Sequence, residues 1–251
     1  YMERTFAAHG FSVQILGIGE DVEKDRLRLQ SLVSRGELEG LLSIGHCLDP
    51  HRDLLANIPI VTSCTFTVDQ LPWVGNDVRL AAHELTNHMI GRGHESIAMI
   101  CGPWMDREGF SLFAEGYRNA FEEADRVVDR AMMLHAHESE SLDELTCSVL
   151  KSRIQPTAVI CENWQVCRSV IKAANTLSLR IPDDVSVAGF GQNVLEMASN
   201  VELTAYVPAN AQVGSEAAEV LIRLMRGEVP PKEPKYFPGH LVVRDSVRAL
   251  N

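Results

Sequence analysis

Asp77-Val-Arg-Leu-Ala-Ala-His-Glu-Leu-Thr-Asn-His-Met-Ile-Gly-Arg-Gly93-His94-Glu-Ser-Ile97-Ala-Met-Ile-Cys101 decides the fold. An aspartate that can accept hydrogen bonds from the first free amides opens a helix running through Arg92, and Gly93 stops it. Ile97 to Cys101 is then apolar without alternation, the mark of a strand buried on both faces of a parallel sheet. Upstream, Val22, Arg26, Leu29, Leu32 and Val33 recur at helical spacing as far as Gly36. Leu41-Leu-Ser-Ile44 and Ile58-Pro-Ile-Val61 read as short strands, and Phe11-Ser-Val13-Gln-Ile15-Leu16 alternates like a strand. Downstream of Gly102-Pro103 the rhythm restarts: a helix about Phe110 to Glu123, a strand near Met132 to Leu134, a helix about Leu142 to Ser152, strand Ala158 to Cys161, a helix about Gln165 to Leu177, strand Val185 to Gly189, a strand-like Leu203 to Tyr206 and a long helix Gln212 to Met225. Repeated strand-then-helix units make the class α/β, with doubly wound parallel sheets in two lobes. Gly227 to Pro238, rich in Pro, Lys and Glu, reads as a linker.

The 251 residues suit one large domain or two modest ones. With 34 Asp and Glu against 23 Lys and Arg, the net charge of -11 gives these residues no bulk attraction for a phosphate backbone. No apolar run approaches the ~20 residues needed to cross a bilayer, so no membrane partner is expected. Cys47, Cys64, Cys101, Cys147, Cys161 and Cys167 show no CxxC spacing and sit in mostly apolar settings, which fits reduced thiols in a cytoplasm. The chain opens at Tyr1, and Tyr1 to His9 followed by Gly10 reads as the back half of a helix, so further residues are expected upstream.

Enzyme chemistry lacks its usual anchors: there is no GxGxxG after a strand, no Walker A motif and no GxSxG elbow. No cofactor is expected. His135-Ala-His137-Glu138 could put two imidazoles on one face of a strand, but no third ligand stands at a recognisable spacing, and the reading is no metal. Parallel sheets bind ligands at the carboxyl ends of their strands, and two facing lobes would gather those ends around one cleft. The loops of interest are therefore Gly17 to Asp21, Gly45 to Asp49, Thr62 to Thr67, Gly102 to Gly109, His135 to Ser141, Glu162 to Gln165 and Phe190 to Asn193. Trp104, Arg107, Asn163, Trp164 and Gln192 among them supply stacking faces and hydrogen bonds.

Val74-Gly-Asn-Asp77 through Gly102-Pro103, Ala114-Glu-Gly116-Tyr117-Arg-Asn-Ala-Phe121, Pro156 to Asn163, Leu179-Arg-Ile-Pro182-Asp-Asp-Val-Ser-Val-Ala-Gly189-Phe190, Leu203-Thr204 and Gly214 to Met225 together resemble the lactose/galactose-repressor (LacI/GalR) family of bacterial transcription regulators. The resemblance implies a periplasmic-binding-protein-like fold of two lobes joined by three crossovers, near Cys101-Gly102, Tyr206-Val207 and Lys235-Phe237. The lobes would be 1–101 plus 207–235 and 102–206 plus 236–251. It further implies a first strand ahead of Tyr1, a helix-turn-helix headpiece upstream that inserts into operator DNA, a homodimer and a small-molecule effector. The competing reading is a periplasmic or secreted binding protein that feeds a transporter.

Carried over residue by residue, Asp77 and Asn163 match family positions that hold polar contacts in the cleft. Phe113 stands where the family usually has an Arg, Trp164 follows Asn163 in place of Asp, Gly191 replaces an Asp, and Val207-Pro208 replaces an Arg-Gln pair. A site without those groups cannot satisfy a hexose. The expectation is a less polar ligand, aromatic or a modified sugar, with Trp164 and Phe113 as stacking walls. Asp77, Asn163 and Gln192 would form its hydrogen-bonding rim, and Arg107 would stand in for the lost charge.

Overall fold

The computed structural model describes residues 1–17, 21–45, 48–63, 71–137, 139, 141–197, 200–229 and 233–250. In chain order the elements are α1 (Met2–Ala8), α2 (Val22–Ser34), β1 (Leu41–Ile44), β2 (Ile60–Ser63), β3 (Val74–Asn76), α3 (Val78–Gly91), β4 (Ile97–Cys101), α4 (Arg107–Glu123), β5 (Met133–His135), α5 (Leu142–Leu150), β6 (Ala158–Cys161), α6 (Trp164–Thr176), β7 (Ser186–Phe190), α7 (Gln192–Leu195), β8 (Thr204–Val207), α8 (Asn210–Met225), β9 (Lys235–Phe237) and β10 (His240–Val242). They pack into two compact units, Tyr1–Asn76 with Ala209–Phe237, and Asp77–Pro208 with Pro238–Asn251.

In the first unit β1 pairs in parallel with β2, β3 pairs in parallel with β9, and a Thr62–Trp73 bridge links the two pairs. Its core joins Phe6 of α1, Val61 and Val74 of the strands, and Val213, Ala217, Leu221 and Ile222 along one stripe of α8. α1 packs on α8 beside Gly214, where a β-carbon would make ordinary contact with the Met2 Cβ at 3.6 Å. Asn76 closes the unit, accepting from the Ala209 amide (2.9 Å) and donating to Asn210 Oδ1 (3.0 Å).

The second unit is a six-stranded sheet in the order β10-β8-β7-β6-β4-β5, parallel except for β10. Alternate residues of its apolar strands enter opposite cores. Ala98, Ile100, Val159 and Cys161 meet α5 and α6 on one face, while Ile97, Met99, Cys101 and Ile160 meet α3 and α4 on the other. Both faces are covered, which is why these strands carry no polar alternation. The α/β, doubly wound class expected from the sequence is the class found.

Three expectations are corrected. The first crossing between units falls at Asn76/Asp77 and not at Cys101-Gly102, because β4 pairs with β5 and β6 and therefore belongs to the second unit's sheet. The other crossings, Pro208/Ala209 and Phe237/Pro238, lie within a few residues of the expected ones. Phe11 to Leu16 alternates but forms no strand: no described strand offers it a backbone partner, and Val13 and Ile15 are exposed. The Gly227 to Pro238 stretch contains β9, held by its pairing with β3.

Candidate functional site

The carboxyl ends of the second unit's parallel strands lie level, with Cys101 opposite His135, Cys161 opposite Gly189, and Phe190 opposite Tyr206. Past that line come Gly102, Glu162, Asn163 and Gly191, at the edge where parallel sheets present ligand contacts.

Glu162 is the centre of this edge. Burial pushes its carboxyl up to about 7, opposed by hydrogen bonds from Trp104, the Gly102 amide and Asn163. All three donors converge on one oxygen, Oε2: Trp104 Nε1 at 2.9 Å, Asn163 Nδ2 at 3.0 Å and the Gly102 amide at 3.4 Å. The Trp104 ring folds back over the end of β4, where only glycine leaves room. A β-carbon on Gly102 would come within 2.7 Å of one ring carbon and closer to others. Trp104 as a residue nevertheless stays 46% exposed.

Asn163 also caps α6, its Oδ1 accepting from the Gln165 (2.8 Å) and Val166 (3.1 Å) amides. One side chain thus starts the helix and steadies the carboxylate. Trp164, the first residue of α6, is half-buried against the core and carries the Arg168 guanidinium 5.5 Å from its ring centroid. Arg107 begins α4 and is exposed, and the cap of that helix is Asp106, which accepts from the Gly109 amide at 2.6 Å. Asp77 caps α3, accepting from the Leu80 amide at 2.9 Å. Gln192 is exposed and donates to Glu196 Oε1 at 3.2 Å.

Phe113 is not a stacking wall. It is 0% exposed, packed among Ala81, Met99 and Ile160, with no face open to a ligand. Gly191, where the resemblance implies an Asp, has a φ of 116°, a conformation that side-chain-bearing residues rarely adopt. His135 Nε2 donates to the Met105 carbonyl oxygen at 2.9 Å, and its ring stacks on Phe110 with centroids 4.7 Å apart. His137 lies 6.5 Å away between ring centroids, and Glu138 falls outside the described residues. Among the described residues no group of three His, Cys, Asp or Glu could hold a metal. Cys101, Cys147, Cys161 and Cys167 are free thiols, and Cys47 and Cys64 lie outside the described residues, as do parts of the loops near residues 17–21, 45–49, 62–67 and 135–141. No helix among the described residues is long and apolar enough to cross a membrane.

Residues 86–247 match the family model described as periplasmic binding protein-like domain. The chain belongs to that family. As a periplasmic binding protein-like domain it is 30% identical over 176 residues to the HTH-type transcriptional regulator DegA of Bacillus subtilis (strain 168), a match covering 70% of this chain and 52% of DegA. It is 26% identical over 255 residues to the HTH-type transcriptional repressor CytR of Escherichia coli (strain K12), covering 99% of this chain and 74% of CytR. The chain thus spans about half to three quarters of the length of these relatives. The transcription regulator CcpA of Lactococcus lactis shares the fold, with a TM-score of 0.83 at 21% identity over 98% of this chain and 92% of that one. The fold is shared as well with a LacI family transcriptional regulator from Bifidobacterium animalis subsp. lactis DSM 10140, with a TM-score of 0.80 at 21% identity over 100% of this chain and 92% of that one.

Sequence reasoning marked Trp104 and Asn163 but passed over Glu162. A single acid at the end of an apolar strand is the available signal, since a charge there must be met by donors from the neighbouring strand end.

Proposed function

We propose that this chain is the effector-sensing core of a LacI/GalR-type transcription regulator. It binds a small molecule at the carboxyl-terminal edge of the second unit's sheet, and binding changes the operator affinity of a headpiece carried outside these residues. The observation that carries the reading is the gathering of Trp104, Glu162 and Asn163 at that edge, in a chain whose relatives are HTH-type regulators. Asp77, Trp164, Arg107 and Gln192 serve as further contacts around the ligand. The regulator works as a homodimer in the cytoplasm, matching a two-fold operator, and performs no catalysis. A ligand regulates only through unequal affinity for the DNA-competent and DNA-incompetent states.

The test is a thermal-shift screen of metabolites against this chain, followed by operator binding of the full-length protein with each hit. A ligand at 100 times its Kd adds about 2.7 kcal/mol of stability, an easily read shift. The reading expects at least one hit that changes operator affinity. Hits that leave operator affinity unchanged, or a full-length protein that binds no DNA, would overturn it.

A further inference from the structure

Glu162 is 8% exposed, and no Lys, Arg or His among the described residues forms an ion pair with it. Its three donors are neutral and all serve Oε2, which leaves Oε1 without a hydrogen bond from any described residue. A carboxylate held in this way lacks a countercharge, and burial without one is costly. Beside it stands Trp104, its indole fixed by its own N–H to the same carboxylate and the residue as a whole still 46% exposed. A carboxylate oxygen that no described residue serves and that is not enclosed, next to a partly exposed tryptophan, has the chemistry that attracts positive charge from two directions.

We propose that the Trp104–Glu162 pair recognises a planar organic cation, of the amidinium or guanidinium class, which donates to Glu162 Oε1 and lies against the indole. This deepens the effector-sensing reading and rests on it. Neutral sugars supply hydroxyl donors but no countercharge, so they leave the buried carboxylate's main deficit unmet. The Gly102 backbone makes the arrangement possible, since a side chain there would displace the ring.

The cation is favoured when Glu162 is ionised, so its affinity falls as pH drops through the group's pKa, about 7. The titratable neighbours are the Cys101 and Cys161 thiols, both pushed up by burial and therefore neutral across this range; Trp104 and Asn163 do not titrate there.

The experiment compares phenylguanidine with phenylurea, a neutral analogue of the same shape, by calorimetry on the 251-residue chain at pH 8 and pH 6. The expected result is saturable binding of the guanidinium, at least about tenfold tighter than the urea at pH 8 and weaker at pH 6. Glu162→Gln should abolish both the preference and the pH dependence, Glu162→Asp should keep the preference, and Trp104→Leu should weaken both compounds. Melting curves check that the variants fold, and the wild-type comparison of the two compounds stands whatever the variants do. Equal affinity of guanidinium and urea, no saturable guanidinium binding, or a preference that survives Glu162→Gln would overturn the proposal. A neutral sugar that binds, controls operator affinity and is indifferent to both substitutions would also overturn it, leaving the regulatory reading intact. Guanidinium binding as expected, with operator affinity unmoved, would support the cation site and remove the regulatory reading.

Discussion

Two helical glycines should respond to alanine with opposite signs. Gly116, in the middle of α4, faces the backbone of α3: a β-carbon there would lie 2.8 Å from the Arg79 carbonyl carbon and 3.1 Å from the His83 amide nitrogen, and closer still to the Arg79 oxygen. These neighbours are main chain and cannot turn aside as a side chain would. Ordinary contact begins near 3.4 Å and the Arg79 oxygen is the nearest atom, so α4 must withdraw by on the order of 1 Å. A gap of that size forfeits about a quarter to a half of each dispersion contact along the α3–α4 seam. Overpacking of this kind costs about 1–3 kcal/mol, and we expect the upper end, offset by about 1 kcal/mol of alanine's helix propensity. The net loss of about 2 kcal/mol lowers Tm by about 4–8 °C. Gly91, the last residue of α3, has nothing within 4 Å of its would-be β-carbon. Gly91→Ala should therefore stabilise, by up to about 1 kcal/mol. Calorimetry gives the Tm values and urea titration gives the midpoints, with the slope unchanged in both variants. A Gly116→Ala protein that melts at or above wild type, or two substitutions that shift Tm in the same direction, would refute the packing described.

Phe113→Ala should cost about 3–5 kcal/mol in denaturant titration, because it empties a fully buried site; a loss below about 1 kcal/mol would mean the ring is not core. Glu162 holds its proton more tightly when folded, so between the ordinary carboxyl value of 4.5 and about 7 the native state binds more protons than the unfolded chain. Its contribution to stability is therefore greatest at low pH and is lost as pH rises through about 7, on the order of 3 kcal/mol in all, and Glu162→Gln should flatten that slope in melts from pH 5 to 8. Gly191→Asp places a side chain at φ 116° and should destabilise by about 1–3 kcal/mol in the same titration.

The sequence made β4 and β6 legible to the residue because both faces of each strand are covered, and an apolar run with no alternation has few other interpretations. The α3 start was equally clear, since Asp77 caps it with its own side chain. β9 was hidden: Lys235, Tyr236 and Phe237 have no strand pattern and are ordered by a partner far away in sequence. Phe11 to Leu16 shows the converse, a strand pattern to which no described strand pairs. Phe113 was misplaced by position in the family, although its spacing to Tyr117, Ala120 and Phe121 marks one buried stripe of α4. Glu162 formed no motif because its partners, Trp104 and Gly102, follow a different strand, and only the β4–β6 register brings them together.

The three crossings between units also govern the order in which this chain can finish folding as it leaves the ribosome. The first unit is incomplete until α8 and β9 emerge, because they supply much of its core and one of its strand pairs. The second waits longer still. Ser246 takes the Thr204 amide at 2.8 Å and gives its hydroxyl to the Val187 carbonyl, and β10 forms the sheet's last strand. Although domains generally fold from the amino terminus as they are made, neither unit here can close before nearly all of these residues are synthesised. No single cut would release either unit with all its strands. Truncation from the carboxyl end should therefore damage the second unit first and, once it reaches β9, both.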